Sequence, residues 1–257
     1  MSPVVALFNE LAKQDKHLTA MFVCDKAFEA QSRGLMEKVS VPVDVRVVRS
    51  GKFRRYAHLT KLQHLTVPGL AWNNFKDIFK IMAGFFESLA LLRRFKPDVV
   101  FTKGGFVCLP VGLAAHLLNI PLVIHDSDTR PGLTNRFLSK WAKVIATGSP
   151  LSNYNYPASK SHYIGVPISP LFKPKTAAEQ ASAKKQLGFN PDKLLVVAVG
   201  GGLGAESINN AMGKAAKSLY DQGISAFVVA GKQHFQATLQ TVPRHKSYKI
   251  VPFVYER

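Results

Sequence analysis

Three stretches of this 257-residue chain combine residue types suited to binding anions and hydroxyl-rich molecules. The densest runs His125-Asp126-Ser127-Asp128-Thr129-Arg130-Pro131-Gly132-Leu133-Thr134-Asn135-Arg136. It follows an apolar run and leads into a helical period. His125 and Asp126 suit proton transfer or hydrogen bonding to sugar hydroxyls. Taken singly, His125 reads as a buried imidazole bonded to backbone, and Asp128 as an Asx-turn or helix-capping carboxylate. Gathered at one strand end, the cluster reads as a site, with Thr134 and Asn135 in the first turns of the helix that follows.

The second stretch is Gly200-Gly201-Gly202-Leu203-Gly204-Ala205, between a β-branched run and a helical period. Glycines let the backbone turn tightly and present N–H groups to an anion, and a helix N-terminus adds partial positive charge. That arrangement suits a phosphate or pyrophosphate; the other reading is close packing of helix on sheet. No Gly-Lys-Ser/Thr follows, so it is not a Walker loop, and Glu206 in the first turn argues against a densely charged ligand beside it. The third stretch is Lys103-Gly104-Gly105-Phe106, also at a strand end. Ligands of open α/β sheets bind at the carboxyl edge of the strands. There Phe106 stacks on a ring, lines an apolar channel, or caps the core.

These turns need elements to position them. Strands are expected at 19–24, 43–48, 98–102, 122–125, 144–146, 162–164, 194–199, 226–230 and 248–251. Between them apolar residues recur at three- and four-residue spacing, as in 3–13, 111–118 and 207–219. The alternation implies an α/β fold whose parallel sheets are covered on both faces. Pro167, Pro170 and Pro174 punctuate a segment without helical period, which puts a domain boundary at 165/166. Domains of 1–165 and 166–257 result. Both ends look abrupt: Ser2-Pro3 opens on a helix instead of a strand, and the second sheet has three strands. The expectation is a chain incomplete at both ends.

Composition narrows the partners. Apolar residues make up 47% and charged residues 19%, enough to bury a substantial core. Lys and Arg number 34 against 16 Asp and Glu, a net charge of +18, which calls for an anionic partner. Cys24 and Cys108 are too few for a disulfide scaffold and fit a reducing compartment. No apolar run suits a membrane span, and no signal peptide is expected. The eight histidines lack ligand spacing, so no metal site is expected. No Gly-x-Ser-x-Gly elbow supports a hydrolase. Between 46 and 96, Arg46, Arg49, Lys52, Arg54, Arg55 and Lys61 precede Trp72, Phe75, Phe79, Met82, Phe86 and Leu89, spaced as one helical stripe. Most of that stripe reads as ordinary core; its aromatic excess beside basic residues also suits an anionic bilayer surface.

The run Lys96-Pro97-Asp98-Val99-Val100, then Gly104-Gly105-Phe106-Val107, Pro110, Gly112-Leu113-Ala114-Ala115, Ile120-Pro121, His125 and Gly132-Leu133-Thr134-Asn135 closely resembles the MurG family of peptidoglycan N-acetylglucosaminyltransferases. Gly165-x-Pro167 and Gly200-Gly201-x-x-Gly204-Ala205 follow in the family's order. The resemblance covers nearly the whole chain. It implies a GT-B architecture, two Rossmann-like domains with parallel sheets facing a cleft, the second incomplete here. It implies transfer of N-acetylglucosamine from UDP-N-acetylglucosamine to lipid I, with inversion and without metal or cofactor. It places the protein peripherally on the cytoplasmic side of the inner membrane, against an anionic surface, with no nucleic acid partner.

By the same resemblance Gly104, Gly105 and Phe106 line the acceptor cleft, and His125 and Asp126 take the catalytic positions at its floor. Asp128 faces the donor sugar, and Thr134 and Asn135 support the turn. Gly200, Gly201, Gly202 and Gly204 approach the donor diphosphate, Ser169 sits in the linker motif, and Val254 packs near the uracil. Departures are specific. The family's Gly-Gly-His loop before the first helix is absent from this sequence, as are its later donor-gripping acidic residue and glutamine. His125-Asp126-Ser127-Asp128 replaces His-Glu-Gln-Asn, Ser169 stands where an arginine is common, and Gly202-Leu203 stands for serine-glutamine. The alternatives are a related diacylglycerol glycosyltransferase and a non-catalytic anion-binding module that needs a partner chain. An RNA-binding protein ranks last, since no RNP-like aromatic strand occurs.

Overall fold

A computed structural model describes residues 2–51, 68–168, 172–201, 204–242 and 245–254. The chain divides into two compact units, Met1–Phe172 and Lys173–Arg257. The division lies at 172/173 and not at 165/166, and Val166, beyond the expected boundary, packs on unit one: a Cβ on Gly148 would lie 2.9 Å from a Val166 methyl. The N–H groups of Ile164 and Gly165 both donate to the Thr147 carbonyl at 3.1 Å.

In the first unit the chain runs α1 (Ser2–Gln14), β1 (Ala20–Cys24), α2 (Glu29–Met36), β2 (Val43–Val47), α3 (Pro68–Phe95), β3 (Val100–Thr102), α4 (Cys108–Leu117), β4 (Leu122–Asp126), α5 (Leu133–Leu138), β5 (Val144–Thr147) and β6 (Ser161–Tyr163). Strands β1 and β2 form one parallel pair, and β3-β4-β5-β6 form a four-stranded parallel sheet in that order. The second unit runs α6 (Ala177–Gln186), β7 (Leu195–Val199), α7 (Glu206–Asp221), β8 (Ser225–Val229), α8 (Phe235–Thr241) and β9 (Tyr248–Val251), with a parallel sheet β7-β8-β9. Each of the nine expected strands is present, with ends shifted by at most two residues.

Hydrophobic burial explains the layering. Leu122, Ile124 and Ile145 of β4 and β5 are buried against Leu89 and Leu92 of α3, Val111, Ala114 and Ala115 of α4, and Leu138 of α5. Gly112 lets α4 approach Leu138, since a Cβ there would lie 2.6 Å from a Leu138 methyl. The Lys160 ammonium donates to the carbonyls of Ser139 and Ala142, at 2.8 and 3.0 Å, and satisfies acceptors left by the end of α5. In the second unit Met212, Ala216, Leu219 and Tyr220 of α7 cover Ala198, Ala226 and Val228. A capping box starts α6: Thr176 Oγ1 accepts from the Glu179 N–H at 3.3 Å, and the Glu179 carboxylate accepts from the Thr176 N–H at 2.8 Å.

Two expectations are corrected here. The second face of the unit-two sheet is covered only in part: Phe227 and Val229 of β8 are buried with Phe189, but Val197 and Val199 of β7 are 55% and 54% exposed. And the aromatic stripe of α3 is not core along most of its length. Leu89 and Leu92 are buried, but Trp72, Phe75, Ile78, Phe79, Met82 and Phe86 are exposed. The helix has 28 residues, about 42 Å at 1.5 Å per residue, and only its C-terminal part packs on α4 and the sheet. The basic residues Lys52, Arg54, Arg55 and Lys61 lie outside the described residues.

Helix α3 also touches the segment after β2. A Cβ on Gly84 would collide with the Arg49 carbonyl. Gly84→Ala is therefore expected to destabilise unit one by about 1–3 kcal/mol, as overpacking does. Urea denaturation followed by tryptophan fluorescence measures it, and an unchanged midpoint would contradict this packing.

Candidate functional site

Strands β3 and β4 are neighbours in register, Thr102 opposite Ile124, so the turns that leave them share one sheet edge. The first turn holds Gly104 at φ +82° and Gly105 at φ +100°, backbone that only glycine adopts at low cost. The second is the acidic turn from Asp126 to Gly132. Asn135 joins them. Its Nδ2 donates to the His125 carbonyl at 3.1 Å, and a Cβ on Gly104 would lie 3.1 Å from the same nitrogen. Glycine at 104 thus gives Asn135 room to lie against the turn. Asn135 is buried and its Oδ1 has no hydrogen-bond partner; Thr102 Oγ1, at the end of β3, is likewise buried and unsatisfied. Unsatisfied buried polar atoms are uncommon enough to mark this edge.

His125 is 1% exposed and both ring nitrogens are engaged. Nε2 lies 2.9 Å from the Gly165 carbonyl and Nδ1 3.0 Å from Ser127 Oγ. A neutral imidazole satisfies both: Nε2–H donates to the carbonyl and Nδ1 accepts from the hydroxyl. This is the backbone-bonded arrangement, and it leaves neither nitrogen open for the proton transfer expected of His125. The ring ties the acidic turn to the segment after β6.

Asp126 is 3% exposed. Its carboxylate accepts from the Tyr156 hydroxyl at 2.7 Å and faces the Gly132 N–H at 3.5 Å. Burial, then the hydrogen bond and charge of Asp126, push the Tyr156 phenol well above its usual range. Tyr154 donates to the Asp128 carbonyl at 2.6 Å. Asp128 is exposed at the middle of the turn, Thr134 is half-buried beside Asn135, and Phe106 is exposed on the glycine turn.

The second unit repeats the device. Gly204 has φ +83°, and a Cβ there would collide with the Ala230 carbonyl at the end of β8. Asn209 of α7 is buried, donates from Nδ2 to that carbonyl at 3.0 Å, and has an unsatisfied Oδ1. Gly200 and Gly201 lead into the turn, and the Gly204 N–H donates to the Gly201 carbonyl at 3.2 Å. Val254 is exposed beyond β9. Gly202 and Ser169 lie outside the described residues. A cavity of about 620 Å³, lined by Gln236, His245, Lys246 and Tyr248 among others, opens where β9 begins, at the opposite ends of the strands from the glycine turn.

Gly104, His125, Asp126 and Asn135 are therefore brought together at one edge of unit one, and Gly200, Gly201 and Gly204 at one edge of unit two. Tyr154, Tyr156 and Asn209 were missed, and Gly165 was read only as part of the linker motif. Asn209 had a signal: it falls on the apolar face of its helix with Met212 and Ala216, where a polar side chain needs a reason. The tyrosines had none, because their partners are 26 and 30 residues away.

A separate apolar surface lies on α3. Trp72 stacks on Phe75 with centroids 5.8 Å apart, Phe75 meets Phe79 edge-on at 5.0 Å, and the Lys76 ammonium sits 5.1 Å from the Trp72 ring centroid. A groove of about 480 Å³ between α3 and α4 continues this surface, lined by Ile81, Met82, Phe85, Phe86, Leu113 and Leu117 with His116. Among the described residues no helix is long and apolar enough to cross a membrane.

Residues 1–147 match the glycosyltransferase family 28 N-terminal domain. The chain belongs to that family. It is 32% identical over 262 aligned residues to the UDP-N-acetylglucosamine--N-acetylmuramyl-(pentapeptide) pyrophosphoryl-undecaprenol N-acetylglucosamine transferase of Thermoanaerobacter sp. (strain X514), with 98% of this chain and 65% of that protein covered. The chain thus spans about two-thirds of the length of such relatives. Among solved structures, Acinetobacter baumannii MurG superposes with a TM-score of 0.58 at 24% identity, covering 99% of this chain and 63% of the other. A putative UDP-N-acetylglucosamine 2-epimerase from Listeria monocytogenes gives 0.62 at 10% identity, covering 99% and 67%. These likenesses establish the fold, an α/β architecture of the GT-B class with Rossmann-like parallel sheets.

The two glycines of the first turn are expected to differ. Gly104→Ala combines left-handed strain with displacement of the buried Asn135 amide, about 2–4 kcal/mol together. Gly105→Ala has open space around its Cβ and costs only the backbone term, about 1–2 kcal/mol. Thermal unfolding of both variants checks the order; equal losses would contradict the Asn135 contact.

Proposed function

We propose that this protein transfers N-acetylglucosamine from UDP-N-acetylglucosamine to lipid I, forming lipid II with inversion at the anomeric carbon. The observation that carries the reading is the alignment of 98% of the chain, across both units, with an N-acetylglucosaminyltransferase of that name. The site geometry agrees with it. Inversion is a direct displacement: the acceptor hydroxyl attacks the anomeric carbon from one face while UDP leaves from the other. Negative charge grows on the departing diphosphate, and backbone N–H groups aimed at it lower the barrier. The N-terminus of α7, into which the glycine turn leads, supplies such groups in this reading. The chemistry then needs no metal.

The two units divide the work. Unit one takes the acceptor along Gly104, Gly105 and Phe106, while unit two takes the donor, with Val254 near the uracil. In this reading Asp128, the exposed carboxylate of the acidic turn, accepts from a sugar hydroxyl. His125, Asp126 and Asn135 hold that turn in place. The exposed aromatics of α3, the groove beside them and the +18 net charge suit docking on the anionic cytoplasmic face of the inner membrane, where a polyprenyl acceptor resides.

Radiolabelled UDP-N-acetylglucosamine offered with lipid I is expected to yield a labelled polyprenyl-pyrophosphate product. Label in a diacylglycerol glycolipid would replace the acceptor, and absence of nucleotide-sugar binding by calorimetry would overturn the reading. Gly201, at φ +77° with open space around it, gives a sharper test. Gly201→Ala costs about 1 kcal/mol in folding but puts a methyl on the ligand side, and is expected to weaken UDP-N-acetylglucosamine binding about tenfold, or about 1.4 kcal/mol. The membrane arm is checked by vesicle co-sedimentation: Phe75→Ser with Phe79→Ser is expected to halve binding, or more, to vesicles containing anionic lipid, with unchanged unfolding temperature.

A further inference from the structure

Two tyrosines outside every motif reach the acidic turn from the connection between β5 and β6. Tyr156 donates its hydroxyl to Asp126 Oδ2 at 2.7 Å, and Tyr154 donates to the Asp128 carbonyl at 2.6 Å. Tyr154 is extended, at φ −128° and ψ 146°, so residues two apart point the same way. The two rings accordingly stack, 5.7 Å between centroids and 10° between planes. Tyr154 is buried, and Tyr156 packs on the core cluster of β4 and β5. Their rings are rooted in the core while their hydroxyls hold the turn.

The connection that carries them is itself fixed at both ends. The Gly148 N–H donates to the Asp126 carbonyl at 2.7 Å, and Lys160 binds the carbonyls that end α5. The Asp126 carboxylate spans from Tyr156 to the Gly132 N–H, across the mouth of the turn. Asp128 stands exposed between these anchors. A turn held this way loses little freedom when a ligand binds, which raises affinity without any added contact.

We infer that Tyr154 and Tyr156 are positioning residues: they clamp the acidic turn and hold Asp128 outward, toward a sugar hydroxyl. The inference deepens the proposed function and rests on its placement of that turn at the sugar. The hydroxyls, not the rings, carry the clamp, so phenylalanine is the informative replacement because stacking and packing survive.

Tyr154→Phe, Tyr156→Phe and the double variant are compared with the parent in two measurements. The first is amide hydrogen exchange. Faster exchange at 126–132 with unchanged protection in β4 and β5 is expected; unchanged exchange at the turn overturns the clamp. Asp126→Asn, which keeps an acceptor for Tyr156, is expected to protect the turn better than Asp126→Ala. Equal loss in those two overturns the Tyr156 arm.

The second is calorimetry with UDP and UDP-N-acetylglucosamine. Tyr156→Phe is expected to weaken the nucleotide sugar about tenfold and leave UDP within about twofold, since a hydrogen bond to a charged group is lost only from the sugar-facing turn. Equal weakening of both ligands, or of neither, overturns the positioning role. A parent that binds UDP and its sugar conjugate equally refutes the placement of the turn, and the positioning role falls with it. Hydrogen exchange still decides whether the clamp exists.

Discussion

A parallel strand ends in backbone groups that its neighbours do not fully satisfy, and in each unit a buried asparagine amide supplies the missing donor. Asn135 binds the carbonyl of His125 as β4 ends, and Asn209 binds that of Ala230 just after β8. Both amides lie beside a positive-φ glycine, Gly104 or Gly204. The glycine is required because a side chain would occupy the amide's place in one unit and strike the carbonyl in the other. Everything proposed for the site depends on this arrangement. It holds the turns close to their sheet edge.

The acidic turn shows how a charged segment becomes precise. Asp126 is buried, which is tolerable only because Tyr156 and Gly132 face its carboxylate. His125 is buried on the same strand and spends both nitrogens on Gly165 and Ser127. Within this cluster His125, Asp126 and Asn135 brace the structure, while Asp128 is left outward. The division follows from burial: a side chain with its hydrogen-bonding capacity used internally has none left for a substrate.

Helix α3 separates two kinds of hydrophobicity. Its C-terminal part contributes Leu89 and Leu92 to the core, where they are covered by α4 and the sheet. Its N-terminal part offers aromatic rings of the same periodicity to solvent. An exposed apolar run of this size, with the Lys76 ammonium over the Trp72 ring, marks a contact surface.

The local pattern determined the elements. β-branched runs between glycines and helical periods marked all nine strands, and the paired glycines at 104–105 and 200–204 marked turns at strand ends, because backbone geometry is a short-range property. The clustered polar run from His125 to Asn135 marked the first site for the same reason. What only the tertiary structure decided was which of those side chains face inward. Whether His125 is a base or a brace depends on Gly165, 40 residues away, and whether Phe79 is core or surface depends on what packs against α3. The tyrosines at 154 and 156 acquire their role solely through partners brought near by the parallel sheet. Burial and hydrogen-bond satisfaction are properties of the folded assembly, and periodicity along a chain reports neither.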